Sequence, residues 1–115
     1  MKQPGQIVLF KFPRTDFVEG KLRPALLLAE LPNQYGDWLI CMISSQTRHQ
    51  VMGFDEILQP DDADFVRSGL KTPSLIRVGR LAVVSGEILL GAIGEIDAER
   101  LRRIKTRLAD WLAKS

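Results

Sequence analysis

Apolar residues in this chain fall in short runs parted by turn formers, and only the C-terminal segment carries a helical period. Residues 7–12 are almost continuously apolar, led in by Pro4-Gly5 and broken at Pro13, which predicts a strand buried on more than one side. Residues 13–22 mix proline, glycine and charge and read as an extended loop. Apolar runs at 25–31 and 38–43 flank the turn-rich stretch Pro32-Asn33-Gln34-Tyr35-Gly36-Asp37, the pattern of a hairpin with a long loop. Beyond Ser44 the polar stretch SSQTRHQ predicts a loop, and residues 51–58 fit more than one state. PDDADFVRSGL predicts a short helix that Asp61 or Asp62 can cap and Ser68-Gly69 can end. Further strands are expected at 74–78, 81–84 and 88–90, with Ser85-Gly86 turning between the last two.

The C-terminal helix is the clearest element. Asp97 is a good N-cap, and Leu101, Ile104, Leu108, Trp111 and Leu112 make one apolar stripe, with Arg100, Arg103, Arg107 and Lys114 on or beside the opposite face. Trp111 and Leu112 are expected to serve as core or dimer-contact residues. Several short strands and one terminal helix imply a mainly β (α+β) fold, a small β-barrel or strongly bent sheet capped by a C-terminal α-helix. Residues 1–115 form a single domain on this reading.

Composition adds three constraints. With 45% hydrophobic and 26% charged residues, a core is affordable without disulfides or a structural metal. No apolar stretch reaches the roughly 20 residues that span a bilayer, and Lys11 and Pro13 interrupt the pattern of a signal peptide. Cys41 is the single cysteine, so no internal disulfide forms, and a reducing, cytoplasmic setting is expected. The net charge of +2 is unevenly spread: residues 55–64 hold five acids and no base, residues 97–115 six bases and three acids, and the remainder ten bases and six acids. Such a chain can offer a basic face to a polyanion. The basic helix stripe has two readings, contact with nucleic acid or plain solvation.

Four segments in this order, GQIVLF at 5–10, RPALLL at 23–28, ICMISSQ at 40–46 and SLIRVGRL at 74–81, together with GAIGEIDAERLRRIKTRL at 91–108, resemble the MazF/PemK family of toxins. Each piece is weak alone; their joint order and spacing cover nearly the whole chain. The resemblance implies an SH3-like small barrel with a C-terminal helix, acting as a homodimer. It implies a metal-independent, sequence-specific endoribonuclease that cuts single-stranded RNA and is held in check by a cognate antitoxin peptide. No cofactor, metal or membrane partner is implied.

Cleavage of that kind makes the ribose 2′-hydroxyl the nucleophile. It needs a base, an acid for the leaving oxygen, and positive donors for the phosphorane. Arg23 matches the arginine of the family's Arg-Pro-Ala motif, and Pro24 disfavours helix at position 23. Ser44 falls where the family has Ser or Thr at the end of its third strand, and is read as a donor rather than a covalent nucleophile. Arg77 matches an arginine of the Ser-x-x-Arg segment. It alternates with Leu75 and Gly79, out of phase with Ile76 and Val78. One branch of the family has an aspartate two residues after that arginine, where this chain has Gly79. Replacement bases are Glu19 or Asp16 in the first loop, and His49, the chain's single histidine. Arg14, Lys21, Arg48 and Arg80 flank the motif segments and form a candidate phosphate track. Base selection falls to Gln46, or to stacking on Phe17 or Tyr35.

Two other classes stay open. Gly79 favours a catalytically degenerate MazF/PemK-like or CcdB-like binding protein acting through protein partners. The ending Asp110-Trp111-Leu112-Ala113-Lys114-Ser115 differs from the Trp-Gly-Ile ending of gyrase poisons. The third class is a scaffold domain.

Overall fold

The apolar runs become strands: β1 (Gln6–Lys11), β2 (Leu22–Glu30), β3 (Asp37–Ser44), β4 (Glu56–Leu58), β5 (Ser74–Ser85) and β6 (Ala92–Glu95). The computed structural model describes residues 2–11 and 22–115. Among the described residues every pairing is antiparallel, in the order β4-β5-β3-β2-β1-β6, and the sheet curls into a half-barrel. Among the described residues two α-helices accompany the sheet, α1 (Phe65–Ser68) and the 17-residue α2 (Ala98–Lys114).

Strand alternation sorts the apolar side chains onto two faces. Ile7, Leu26, Cys41, Ile43, Ile76 and Val78 pack with Ile104 of α2 on one face; Val8, Phe10, Ala25, Leu27, Trp38 and Ile40 gather with Leu89 on the other. The first strand is thus buried on both sides, which is why its sequence shows no clean alternation. Each fully buried Leu or Ile side chain contributes about 1.5–3 kcal/mol from burial. Among the described residues no helix is long and apolar enough to cross a membrane.

Two expectations for residues 74–90 require correction. The strands expected at 74–78 and 81–84 are one strand, β5. Cys41 pairs with Leu81 while its neighbour Met42 pairs with Arg77, so residues 78–80 bulge out of register with β3. Residues 88–90 are not a strand: a 3₁₀ turn, Gly86–Ile88, follows β5, held where Ser85 Oγ accepts the Glu87 N–H at 3.3 Å. That turn tucks Leu89 under the second face, and the last strand is β6. Short α1 has Asp64 at its N-terminal boundary with no side-chain cap, while Asp62 accepts the Gln59 N–H at 2.7 Å. Its C-terminal Gly69 has φ of +75°, and a Cβ there would fall inside the Ile93 carbonyl; one on Gly94 would overlap the Arg67 carbonyl. The end of α1 and β6 touch backbone to backbone, and only glycine fits.

Helix α2 starts as expected, with Asp97 Oδ1 accepting the Arg100 N–H at 2.8 Å. Its apolar stripe is narrower than its sequence suggests. Ile104 is buried, Leu101 and Leu108 are partly so, but Trp111 and Leu112 are 52% and 64% exposed and are not core residues. The Trp111 ring meets Phe54 edge-on, with centroids 5.7 Å apart.

The basic stripe is not simply solvated. Arg100 is buried, donating through Nε to Asp64 at 2.9 Å and through Nη1 to Glu56 at 2.8 Å, with Asp62 at 3.2 Å from Nη2. Buried Glu56 also accepts from Arg103 Nε and Arg107 Nη1, each at 3.0 Å. Burial alone would raise the Asp64 carboxyl pKa. The Arg100 hydrogen bond, the Asp97 N–H and the Arg100 charge outweigh it and hold the group below its ordinary range. Burial would lower Arg100, and its acidic neighbours raise it instead. The acidic run and the helix arginines therefore neutralise one another across the fold.

Candidate functional site

Strand β2 presents Arg23 near its start, opposite Phe10 of β1, and its side chain is exposed. Pro24 has no N–H to donate and stands just ahead of Ala25–Met42, where the ladder to β3 begins. Ser44 ends β3 opposite Leu75 and is buried, and its Oγ accepts the Gln46 N–H at 3.0 Å. That bond turns the chain into a 3₁₀ turn, Thr47–His49, so Gln46, Arg48 and His49 stand exposed just past Ser44 and beside β5. Arg77 lies opposite Met42 on β5 and is half-buried.

Alternation then puts Arg23, Ala25, Met42, Ser44, Leu75 and Arg77 on one face, the face away from α2, on three neighbouring strands. Arg23 and Arg77 flank the strand that ends in Ser44, and neighbouring strands lie about 4.8 Å apart. The opposite phase of Ile76 and Val78 matches the sequence pattern: both lie in the core under α2. Arg80 is the last residue of the bulge and lines, with Arg77, Gly79, Val51, Phe54 and Asp55, a cavity of about 180 Å³.

The remaining candidates separate. Glu19, Arg14 and Lys21, with Asp16 and Phe17, lie outside the described residues. Tyr35 is 81% exposed in the β2–β3 loop, at the opposite end of β3 from Ser44, roughly 20–25 Å along the strand at ~3.3 Å per residue, so it is no part of this cluster. Among the described residues no three His, Cys, Asp or Glu side chains converge to hold a metal ion.

One carboxylate at the cavity was not singled out from the sequence. Asp55 is buried, and its oxygens accept the N–H groups of Val51 and Val78 at 2.9 Å each. Its charge reaches the core: burial first, and Asp55 second, push the Cys41 thiol up to about 12. In sequence Asp55 is merely the first member of an acidic run. The one usable signal is its place ahead of a short strand, β4, that pairs with the strand of Arg77.

Chemically, the cluster offers two guanidinium forks, a hydroxyl and a nearby carboxylate beside an open surface. That set suits a phosphodiester, whose paired oxygens match the fork of arginine.

The fold has known relatives. Two solved structures match along nearly their full lengths. An endoribonuclease in complex with its cognate antitoxin from Mycobacterial species has 15% identity, a TM-score of 0.68, and 98% of this chain and 96% of that one covered. The crystal structure of MazE-MazF (Form-II) from Deinococcus radiodurans has 20% identity, a TM-score of 0.70, and coverage of 99% and 97%. At these identities the likeness establishes the fold, a curled half-barrel with a C-terminal helix. No curated protein matches the sequence. The family model for the PemK-like, MazF-like toxin of type II toxin-antitoxin system matches residues 3–112, and this chain belongs to that family.

Proposed function

We propose that the protein is a metal-independent endoribonuclease that cuts single-stranded RNA at defined sequences, acting as the toxin of a toxin–antitoxin pair. The observation that carries this reading is the alignment of Arg23, Ser44 and Arg77 at one end of one face of β2, β3 and β5. In this mechanism the guanidinium groups of Arg23 and Arg77 bind the scissile phosphate's oxygens and stabilise the charge of the phosphorane. The Ser44 hydroxyl, fixed by the Gln46 N–H, orients the reacting group. The exposed Gln46, Arg48 and His49 contact the RNA beyond the cut, and Arg80 extends the phosphate track. Glu19 remains the candidate base from the first loop.

The cognate antitoxin is the proposed protein partner, supported by the antitoxin complexes of both structural relatives. A homodimer is supported by exposed apolar side chains: Leu81 and Val83 on β5, Trp111 and Leu112 on α2. Action on cellular RNA places the protein in the cytoplasm.

The test is incubation of the purified protein with single-stranded RNA in EDTA. The expected products end in a 2′,3′-cyclic phosphate, and Arg23→Ala, Ser44→Ala and Arg77→Ala each slow cleavage by roughly 100-fold or more without unfolding the chain. Intact RNA over a wide range of folded protein would refute the reading. It would favour instead a degenerate binding protein, the alternative that Gly79 supports.

A further inference from the structure

Position 79, two residues beyond Arg77, holds no carboxylate, and a Cβ on Gly79 would lie 3.2 Å from Phe54 Cε2, so that ring would have to shift by a few tenths of an ångström. A carboxylate does line the same cavity, from Asp55. Its Oδ1 accepts the N–H of Val78, the first of the three residues by which β5 slips out of register with β3. The last of those three residues is Arg80, and Arg77 immediately precedes them. A bulge takes an N–H out of the ladder, and a buried N–H needs another acceptor. Oδ2 accepts the Val51 N–H at the other end of the turn that carries Asp55. Two donors, one on each oxygen, suit an acceptor-only carboxylate; an amide would turn its own N–H₂ toward one of them. Among the described residues neither Asp55 nor Arg77 forms an ion pair, so the guanidinium stays available to a ligand.

We propose that Asp55 is a positioning residue for Arg77 and Arg80: it ties the turn at residues 51–55 to the β5 bulge and fixes where both guanidinium groups project. This deepens the nuclease reading and rests on it, because small displacements of phosphate-binding groups cost large factors in rate. A sheet bulge has no ladder bonds of its own to define its shape, so the clamp must come from outside the strand.

The experiment is a double-mutant cycle on binding of single-stranded RNA whose 2′-hydroxyls are replaced by hydrogen at the cut site. Asp55→Asn is expected to weaken binding about tenfold and to lower the salt slope by about one to two, as Arg77→Ala/Arg80→Ala does. Added to that double variant, Asp55→Asn should change affinity by less than about twofold, because its effect runs through the two arginines. Multiplying effects, or an Asp55→Asn variant that binds like the wild type, would overturn the proposal. If Asp55→Asn does not fold, Asp55→Glu is read in the same cycle. A wild type that binds but does not cut refutes the nuclease reading and leaves the cycle decisive. With no RNA binding at all, NMR decides. Moved Arg77 and Arg80 Nε–H resonances with faster Val78 amide exchange in Asp55→Asn support the clamp, and unmoved ones sink it.

Discussion

Glu56 is the residue whose loss should most weaken the docking of α2. It is 6% exposed and accepts four hydrogen bonds, from Arg100 Nη1, Arg103 Nε and Nη2, and Arg107 Nη1, at 2.8–3.0 Å. Glu56→Gln keeps the shape but removes the charge and turns an N–H₂ toward guanidinium donors. Breaking a buried pair from one side costs about 3–5 kcal/mol. Two features reduce that figure here. Arg103 and Arg107 are 43% and 36% exposed, so water replaces much of what they lose, and each adds no more than about 0.5 kcal/mol. Arg100, only 10% exposed, keeps Asp64 and Asp62. A loss of about 2–3 kcal/mol results, or roughly 8–12 °C in Tm at about 4 °C per kcal/mol for a chain of this size. Calorimetric melting and urea unfolding measure it, with an unchanged urea slope showing that the unfolded state is not involved. Glu56→Leu/Arg100→Leu should be less stable than Glu56→Gln, since it also strips the buried Asp64 of its guanidinium. A Tm within about 2 °C of wild type for Glu56→Gln, or a double variant more stable than the single, would refute the reasoning.

Two further outcomes follow from the packing and the charges. The Asp64 pKa is depressed in the folded state, so its contribution is complete above the unfolded value near 3.9 and is lost as pH falls through the lower folded value. Tm should hold level from about pH 5 upward and drop below about pH 4 more steeply in wild type than in Asp64→Asn; parallel curves would contradict the assignment. The Arg100 pKa is raised by its acidic partners, so its share persists at every pH an assay would use. Gly69→Ala meets both a left-handed backbone and the Ile93 carbonyl and should cost roughly 3–5 kcal/mol, whereas Gly36→Ala, at φ +71° in open space, should cost about 1. Equal melting temperatures for the two variants would show that the α1–β6 approach relaxes freely.

What the sequence made legible followed from local rules. Runs bounded by proline and glycine gave β1 to β3, and a capped 3.6-residue period gave α2, because those signals need no knowledge of distant partners. The bulge in β5 was not legible: Gly79-Arg80 reads as a strand break, and only pairing with β3 shows one strand crossing it. Arg100 illustrates the same limit. It occupies a polar position of the helix, and its burial depends on Glu56 and Asp64, 44 and 36 residues away in the chain. In β5, alternation set Arg77 out of phase with Ile76 and Val78, which pack in the core under α2. Asp55 escaped notice because what it holds is backbone, and one of its donors, the Val78 N–H, lies 23 residues away in the chain.

Cys41 gives the molecule a reporter that needs no engineering. As the chain's single cysteine, fully buried mid-sheet with its thiol near 12, it should resist alkylation while the sheet is closed. Its rate of labelling by a thiol reagent then follows the opening of β3 itself, so the effect of RNA, of a bound peptide or of any substitution on the integrity of the sheet can be timed by mass spectrometry at one atom.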